Sequence, residues 1–105
     1  KKIYFSISEE KDICDPAEYD NGYGSSVWEI NNQAISMTTF CKKDNKDFYI
    51  ISATPTTKEG SDFIVNTFMK HTGDVQVEGS GYNFPVSANG FTKVWNNKSA
   101  NALQV

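Results

Sequence analysis

At 105 residues, 38% of them hydrophobic and 13% aromatic, the chain can bury one core and is too short for two, so residues 1–105 read as a single small globular domain. The formal charge is −3 and arginine is absent, all ten basic residues being lysines. This balance argues against nucleic acid as a partner, because such binding draws its affinity from clustered basic groups and its bidentate contacts from arginine.

No apolar run approaches the roughly 20 residues of a membrane span. The start KKIYFSISEE turns polar too soon for the apolar segment of a signal peptide, although a leader could have been removed before it. Residues 2–8 alternate, with Ile3, Phe5 and Ile7 on one face and Tyr4, Ser6 and Ser8 on the other, which predicts a half-buried strand. The stretch 9–26 then holds six of the thirteen acids with Pro16, Gly22 and Gly24, and reads as a long surface loop.

Cys14 lies in that loop and Cys41 lies 27 positions later, a spacing that fits no redox or zinc pair. Two such cysteines can be a disulfide or two buried thiols. The acidic stretch around Cys14 has little apolar content to hold it to the body, which favours the disulfide and an oxidising compartment.

Strands are predicted over 26–30, 34–42 and 47–53, the last two forming a hairpin across a polar turn at 43–46. Ile35, Met37, Thr39 and Cys41 share one face; Phe48 and Ile50 are the expected apolar face of the next strand. The period then changes. Ile64, Val65, Phe68 and Met69 share a helical face, Thr56 and Glu59 have capping-box spacing, and Gly73 stands where a left-handed C-cap belongs, predicting a helix over 58–71.

Residues 74–79 and 82–87 alternate again, around Ser80-Gly81. The Gly-rich run 78–91 has the composition of a phosphate cradle. That reading fails because Ser80-Gly81 sit between two strands rather than between a strand and a helix, so they are expected to turn a hairpin, while Asn89-Gly90 turns the chain towards the last helical piece. Pro85, without an N–H, marks the second strand as an edge or a bulged one. A short last helix is expected through 91–97, where Phe91, Val94 and Trp95 recur at helical spacing.

No motif specifies a reaction. The sole histidine, His71, is expected at the negative end of the helix dipole rather than in a hydrolytic constellation, for no nucleophile elbow accompanies it. One histidine and two distant cysteines cannot supply a zinc site, and the acidic loop lacks the ligand pattern of a calcium loop, so no metal and no cofactor are expected. Glu9 and Glu10 are a carboxylate pair with nothing to bring them to a pocket, and the sequon at Asn97 carries little weight. Aromatic residues carry the binding signal. Trp28, Phe84 and Trp95 are expected in the core; Tyr19 and Tyr23, in the polar loop, are expected to be exposed and, with Tyr82, are the candidate ligand or partner contacts.

The runs FIVNTFMKHTGDVQVE and YNFPVSANGFTKVW, with Gly90-Phe91 as their sharpest point, resemble the C-terminal part of the periplasmic invasion-associated-locus-B-like proteins of bacteria. The shared pattern is a helix ending near Gly, a Val-rich strand, and a strand leading through Gly-Phe into a short helix; the family's cysteine placement is not matched. The resemblance implies a small exported β-sandwich protein and transfers no functional residue.

Together these readings predict an α+β fold: a mostly antiparallel sheet of about six strands, curled or sandwiched, with one main helix and a short C-terminal helix. The expected function is a non-enzymatic binding or protein-interaction domain of a bacterial envelope or accessory protein, periplasmic or secreted, with a protein or small-molecule ligand and a homodimer as one form. The alternatives are a small-ligand binder with a pocket between helix and sheet, a hydrolase using His71 or a carboxylate pair, and a cytoplasmic setting.

Overall fold

A computed structural model of the chain describes residues 3–44 and 46–89. Its elements are β1 (Phe5–Glu9), β2 (Tyr23–Ile30), β3 (Gln33–Lys43), β4 (Tyr49–Pro55), α1 (Lys58–Lys70), β5 (Asp74–Gly79) and β6 (Tyr82–Ser87). The six strands form one antiparallel sheet in the order β1-β4-β3-β2-β5-β6. The predicted short helix over 91–97, with Trp95 and the sequon at Asn97, lies outside the described residues.

Alternation sorts the side chains of the sheet. Phe5 and Ile7, Trp28 and Ile30, Ile35, Met37, Thr39 and Cys41, Ile51 and Ala53, and Val75 and Val77 all turn to one face and are buried. Against them α1 lays Ile64 and Phe68. The sheet curls strongly: β1 and β2 are separated by two strands in the sheet, yet the rings of Phe5 and Trp28 lie 6.1 Å apart, and Phe68 is also 6.1 Å from Phe5. The result is a half-barrel filled by aromatic rings and closed on one side by the helix. Phe84 is half-buried at its margin.

Tight turns fix the register. Asn31 and Asn32, at φ 52° and 67°, join β2 to β3, and Ser80 and Gly81, at φ 53° and 82°, join β5 to β6. Two consecutive left-handed residues match the twist of a two-residue hairpin, and asparagine and glycine tolerate that conformation best. The expected hairpin at Ser80-Gly81 is thus present. Pro85 lies on β6, an outermost strand of the sheet.

Several local expectations are corrected. The buried face of β4 is Ile51 and Ala53; Phe48 and Ile50 are only half-buried. The Asp44 carboxylate accepts the N–H groups of Lys46 and Phe48, and Asp47 is left-handed at φ 66°, so the turn sets Ile51 opposite Cys41 and reverses the expected phase. In α1 the cap is Thr57, whose hydroxyl accepts from the Gly60 N–H at 3.0 Å, while the Thr56 hydroxyl is 2.9 Å from that of Thr38. His71 is the C-cap in extended conformation, and Gly73 has no left-handed φ. The buried helical stripe is Gly60, Ile64, Thr67 and Phe68, with Val65 and Met69 half-buried; Thr67 is accommodated because its hydroxyl donates to the Phe63 carbonyl at 2.8 Å.

Candidate binding site

The loop between β1 and β2 shapes one mouth of the half-barrel. Its Asp15 carbonyl accepts the N–H groups of Glu18 and Tyr19 at 2.9 and 3.0 Å, while the Asp15 carboxylate accepts that of Ala17 at 2.9 Å. Asn21 and Gly22, both left-handed, then fold Asp20 back onto Tyr23 through two backbone bonds of 3.0 and 2.7 Å. That turn starts β2 three residues earlier than the sequence suggests and shortens the loop. A disulfide joins Cys14 to Cys41 on β3, with Cα atoms 5.5 Å apart, as expected.

This folding separates the candidate tyrosines. Tyr19 is buried, with 8% of its surface exposed, which corrects the expectation that it faces solvent. Its seat exists because residue 24 is glycine: a Cβ there would lie 2.5 Å from the Glu18 carbonyl oxygen and 3.1 Å from the Tyr19 ring. Burial pushes the Tyr19 phenol above its usual value of 10.0, against hydrogen bonds to the Ser80 and Thr39 side chains that lower it; the Glu18 charge adds to the rise. The polarity of the loop concealed this anchor.

Tyr23 behaves as expected, with 61% of its surface exposed. It stands on the outer face of the sheet, edge-on to Phe40 at 5.2 Å. Tyr4 and Val27 are exposed there too, by 50% and 65%, and Tyr4, Tyr23, Phe40 and Ile50 border a depression of about 420 Å³ with Asn21 and Lys42. Around these groups the outer face carries short hydroxyls: pairing sets Ser25 beside Thr38 and Thr38 beside Thr54, and extends Tyr23-Phe40 to Ser52 and Ser6. Among the described residues no element covers this face.

A second, more polar cleft of about 980 Å³ opens at the mouth, bordered by Glu18, Tyr19, Asp20, Tyr23, Ser80 and Gly81. Tyr19 and Tyr23 therefore share one cleft, Tyr19 as its buried wall and Tyr23 as its rim. Tyr82 belongs to a neighbouring cleft of about 450 Å³ beyond the Ser80-Gly81 turn. There desolvation raises the Tyr82 phenol above 10.0, with the charge and hydrogen bond of Glu9 acting the same way. Glu9, at the end of β1, and Tyr82, at the start of β6, border this same cleft.

The His71 Nδ1 lies 2.9 Å from the Thr67 carbonyl, at the helix C-terminus, where its partner is backbone. Glu9 borders the Tyr82 cleft together with Asp15 and Glu18, while its sequence neighbour Glu10 does not border it. Among the described residues, no three His, Cys, Asp or Glu side chains are grouped as metal ligands, and no helix is long and apolar enough to cross a membrane. Between α1 and the sheet, Ile64 and Phe68 fill the interior, leaving a depression of about 360 Å³ beside Gly60 and Phe63.

No family model matches the chain, and no curated protein or solved structure matches it.

Proposed function

We propose that this chain is a non-enzymatic binding domain that engages a protein partner through the outer face of its sheet, centred on Tyr23, Phe40 and Tyr4. One observation carries the reading. Two tyrosines exposed by 61% and 50% stand with Phe40, Ile50 and Val27 on a face that no described element covers. Tyrosine supplies large contact area at low entropic cost, and clustered exposed aromatics mark interaction surfaces. The surrounding hydroxyls offer donors and acceptors without the desolvation cost of charges.

An exported setting, in the bacterial envelope or as an accessory protein, accompanies this reading. The Cys14–Cys41 disulfide supports it, since such bridges persist in oxidising compartments. The resemblance of the helix-to-β6 region to periplasmic proteins points the same way.

A photo-crosslinking amino acid at Val27, on the proposed face, and at Asn66, on the exposed side of α1, tests the proposal. Crosslinks to a protein from position 27 and none from position 66 are expected; the reverse pattern would sink the reading.

A small ligand in the mouth cleft is the second reading. Its size, about 980 Å³, is at the top of the range of ligand sites, and it joins an aromatic wall to the hydroxyls of Ser80 and Thr39. A thermal-shift screen of metabolites should then find a stabiliser whose effect is lost in Tyr19→Phe or Ser80→Ala.

A further inference from the structure

The two outermost strands of the sheet differ in what they offer to another chain. In an antiparallel sheet each residue directs its N–H and C=O to one side, and successive residues alternate. Tyr23 exchanges both backbone bonds with Asp20, on the side of β2 away from β3. Gly24 and Ser26 therefore bond towards β3, opposite Thr39 and Met37. On β3, Thr38 and Phe40 then bond towards β4, opposite Thr54 and Ser52. On β4, Ile51 and Ala53 bond towards β1, opposite Ile7 and Phe5.

That phase leaves the N–H and C=O of Ser6 and Ser8 directed outward along an edge of β1 that no described strand pairs. Independent bonds agree with it: Cys41 N–H to the Gly22 carbonyl at 2.8 Å, and Asp44 N–H to the Phe48 carbonyl at 2.7 Å. On the other flank, the Asn31 N–H to Gln76 carbonyl bond, at 2.8 Å, directs Gln76 towards β2 and Val77 towards β6, opposite Phe84. The outward residues of β6 are consequently Asn83, Pro85 and Ser87.

One edge is thus guarded and the other is not. The centre of the β6 edge is a proline with no donor to give, a device that blocks strand addition. β1 presents donors and acceptors at both outward positions, on short neutral side chains. Its single charge, Glu9, lies at its end, paired with Tyr49 of β4.

We propose that this outer edge of β1 is a self-pairing surface through which two copies of this chain join antiparallel. Setting Ser6 opposite Ser8 of the second copy lets both outward residues exchange N–H···O bonds. It places Ile7 on the two-fold axis and Phe5 opposite Glu9, with no like charges opposed, so the edge is complementary to itself as an isologous contact requires. The two half-barrels then share one continuous sheet, and their outer faces become one surface. This inference goes beyond the binding reading and does not rest on it.

Sedimentation velocity tests it, with loading from about 10 μM to about 1 mM, where a small interface of this class associates. The weight-average mass is expected to rise from 11.7 kDa towards twice that value. Ser6→Pro removes an outward donor and Ser8→Lys sets a charge against the pairing strand; both are expected to stay monomeric with unchanged circular dichroism. Should Ser6→Pro disturb the fold, Ser8→Lys alone decides. In amide exchange the Ser6 and Ser8 N–H groups should be protected only at high concentration, while those of Phe5 and Ile7 are protected throughout. Three results would overturn the proposal: a wild-type chain that remains a monomer at about 1 mM, association that Ser8→Lys leaves unchanged, or Ser6 and Ser8 amides already protected in the dilute monomer.

Discussion

Trp28 is fully buried because the neighbouring strand gives it room: a Cβ added to Gly79 would lie 2.0 to 2.4 Å from the indole atoms. Its ring nitrogen still has a partner, donating to the Ser26 hydroxyl at 3.1 Å, so the burial leaves no orphaned donor. Gly79→Ala must displace the ring or separate β5 from β2, and is expected to cost about 1–3 kcal/mol of stability, with a shifted Trp28 fluorescence maximum, measured by urea unfolding. Trp28 was recognisable in the sequence as a core residue because it alternates with Ile30. The role of Gly79 was not, since it depends on a ring from a distant strand. Tyr19 shows the same limit more sharply, for composition places it in solvent while the turn at Asp15 and the glycine at 24 seat it against Ser80 and Thr39. Its phenol titrates above 10.0 in the folded chain, so the fold favours the neutral form. The associated stability is intact below the unfolded value of 10.0 and lost as pH rises through the folded one. Urea midpoints compared between about pH 8 and about pH 11 should fall less steeply for Tyr19→Phe than for the wild type; equal slopes would contradict this role.

The elements owe their boundaries to turns as much as to alternation. β3, β5 and β6 were legible because inward and outward residues alternate without interruption over most of their lengths, whereas β2 was legible only in its second half, its first three residues being set by the Asp20–Tyr23 turn. The phase of β4 was not, because Phe48-Tyr49-Ile50-Ile51 is apolar at every position and only the Asp44–Asp47 turn selects which side faces inward. Adjacent threonines posed a similar ambiguity at the helix start. Thr56 has Glu59 at capping-box spacing where Thr57 has Gly60, yet the tertiary contact of Thr56 with Thr38 leaves the cap to Thr57. Thr57→Ala is accordingly expected to cost about 1 kcal/mol, and Thr56→Ala less, in thermal unfolding. The loop over 10–22 has one covalent tie, and reducing or replacing the Cys14–Cys41 bridge, which closes a separation of 27 residues, should cost about 3–4 kcal/mol in the chain-entropy model. Intact mass with alkylation before reduction should show no labelled thiol in the folded chain.

For the molecule as a whole, burial and exposure divide along the sheet. The inner face is occupied by its own aromatics and by α1, while the outer face keeps Tyr4, Tyr23 and Val27 in solvent among rows of serine and threonine. The sequence exposed the alternation that separates these faces and singled out Tyr23. It could not bring Tyr4, Phe40 and Ile50 to Tyr23, because that neighbourhood follows from strand order, with β4 between β1 and β3. This gathered face is the one proposed to dock a partner. Quantitative affinity capture from the native source tests it, using the wild-type chain, a Tyr4→Lys/Tyr23→Lys variant, and Asn66→Lys as a control on the exposed helix, all shown to share one circular dichroism spectrum. A protein is expected to be enriched equally by the wild type and the Asn66→Lys control and reduced at least about tenfold by the tyrosine variant, the loss that follows when two central aromatic contacts go; equal enrichment by all three chains would rule out docking on this face.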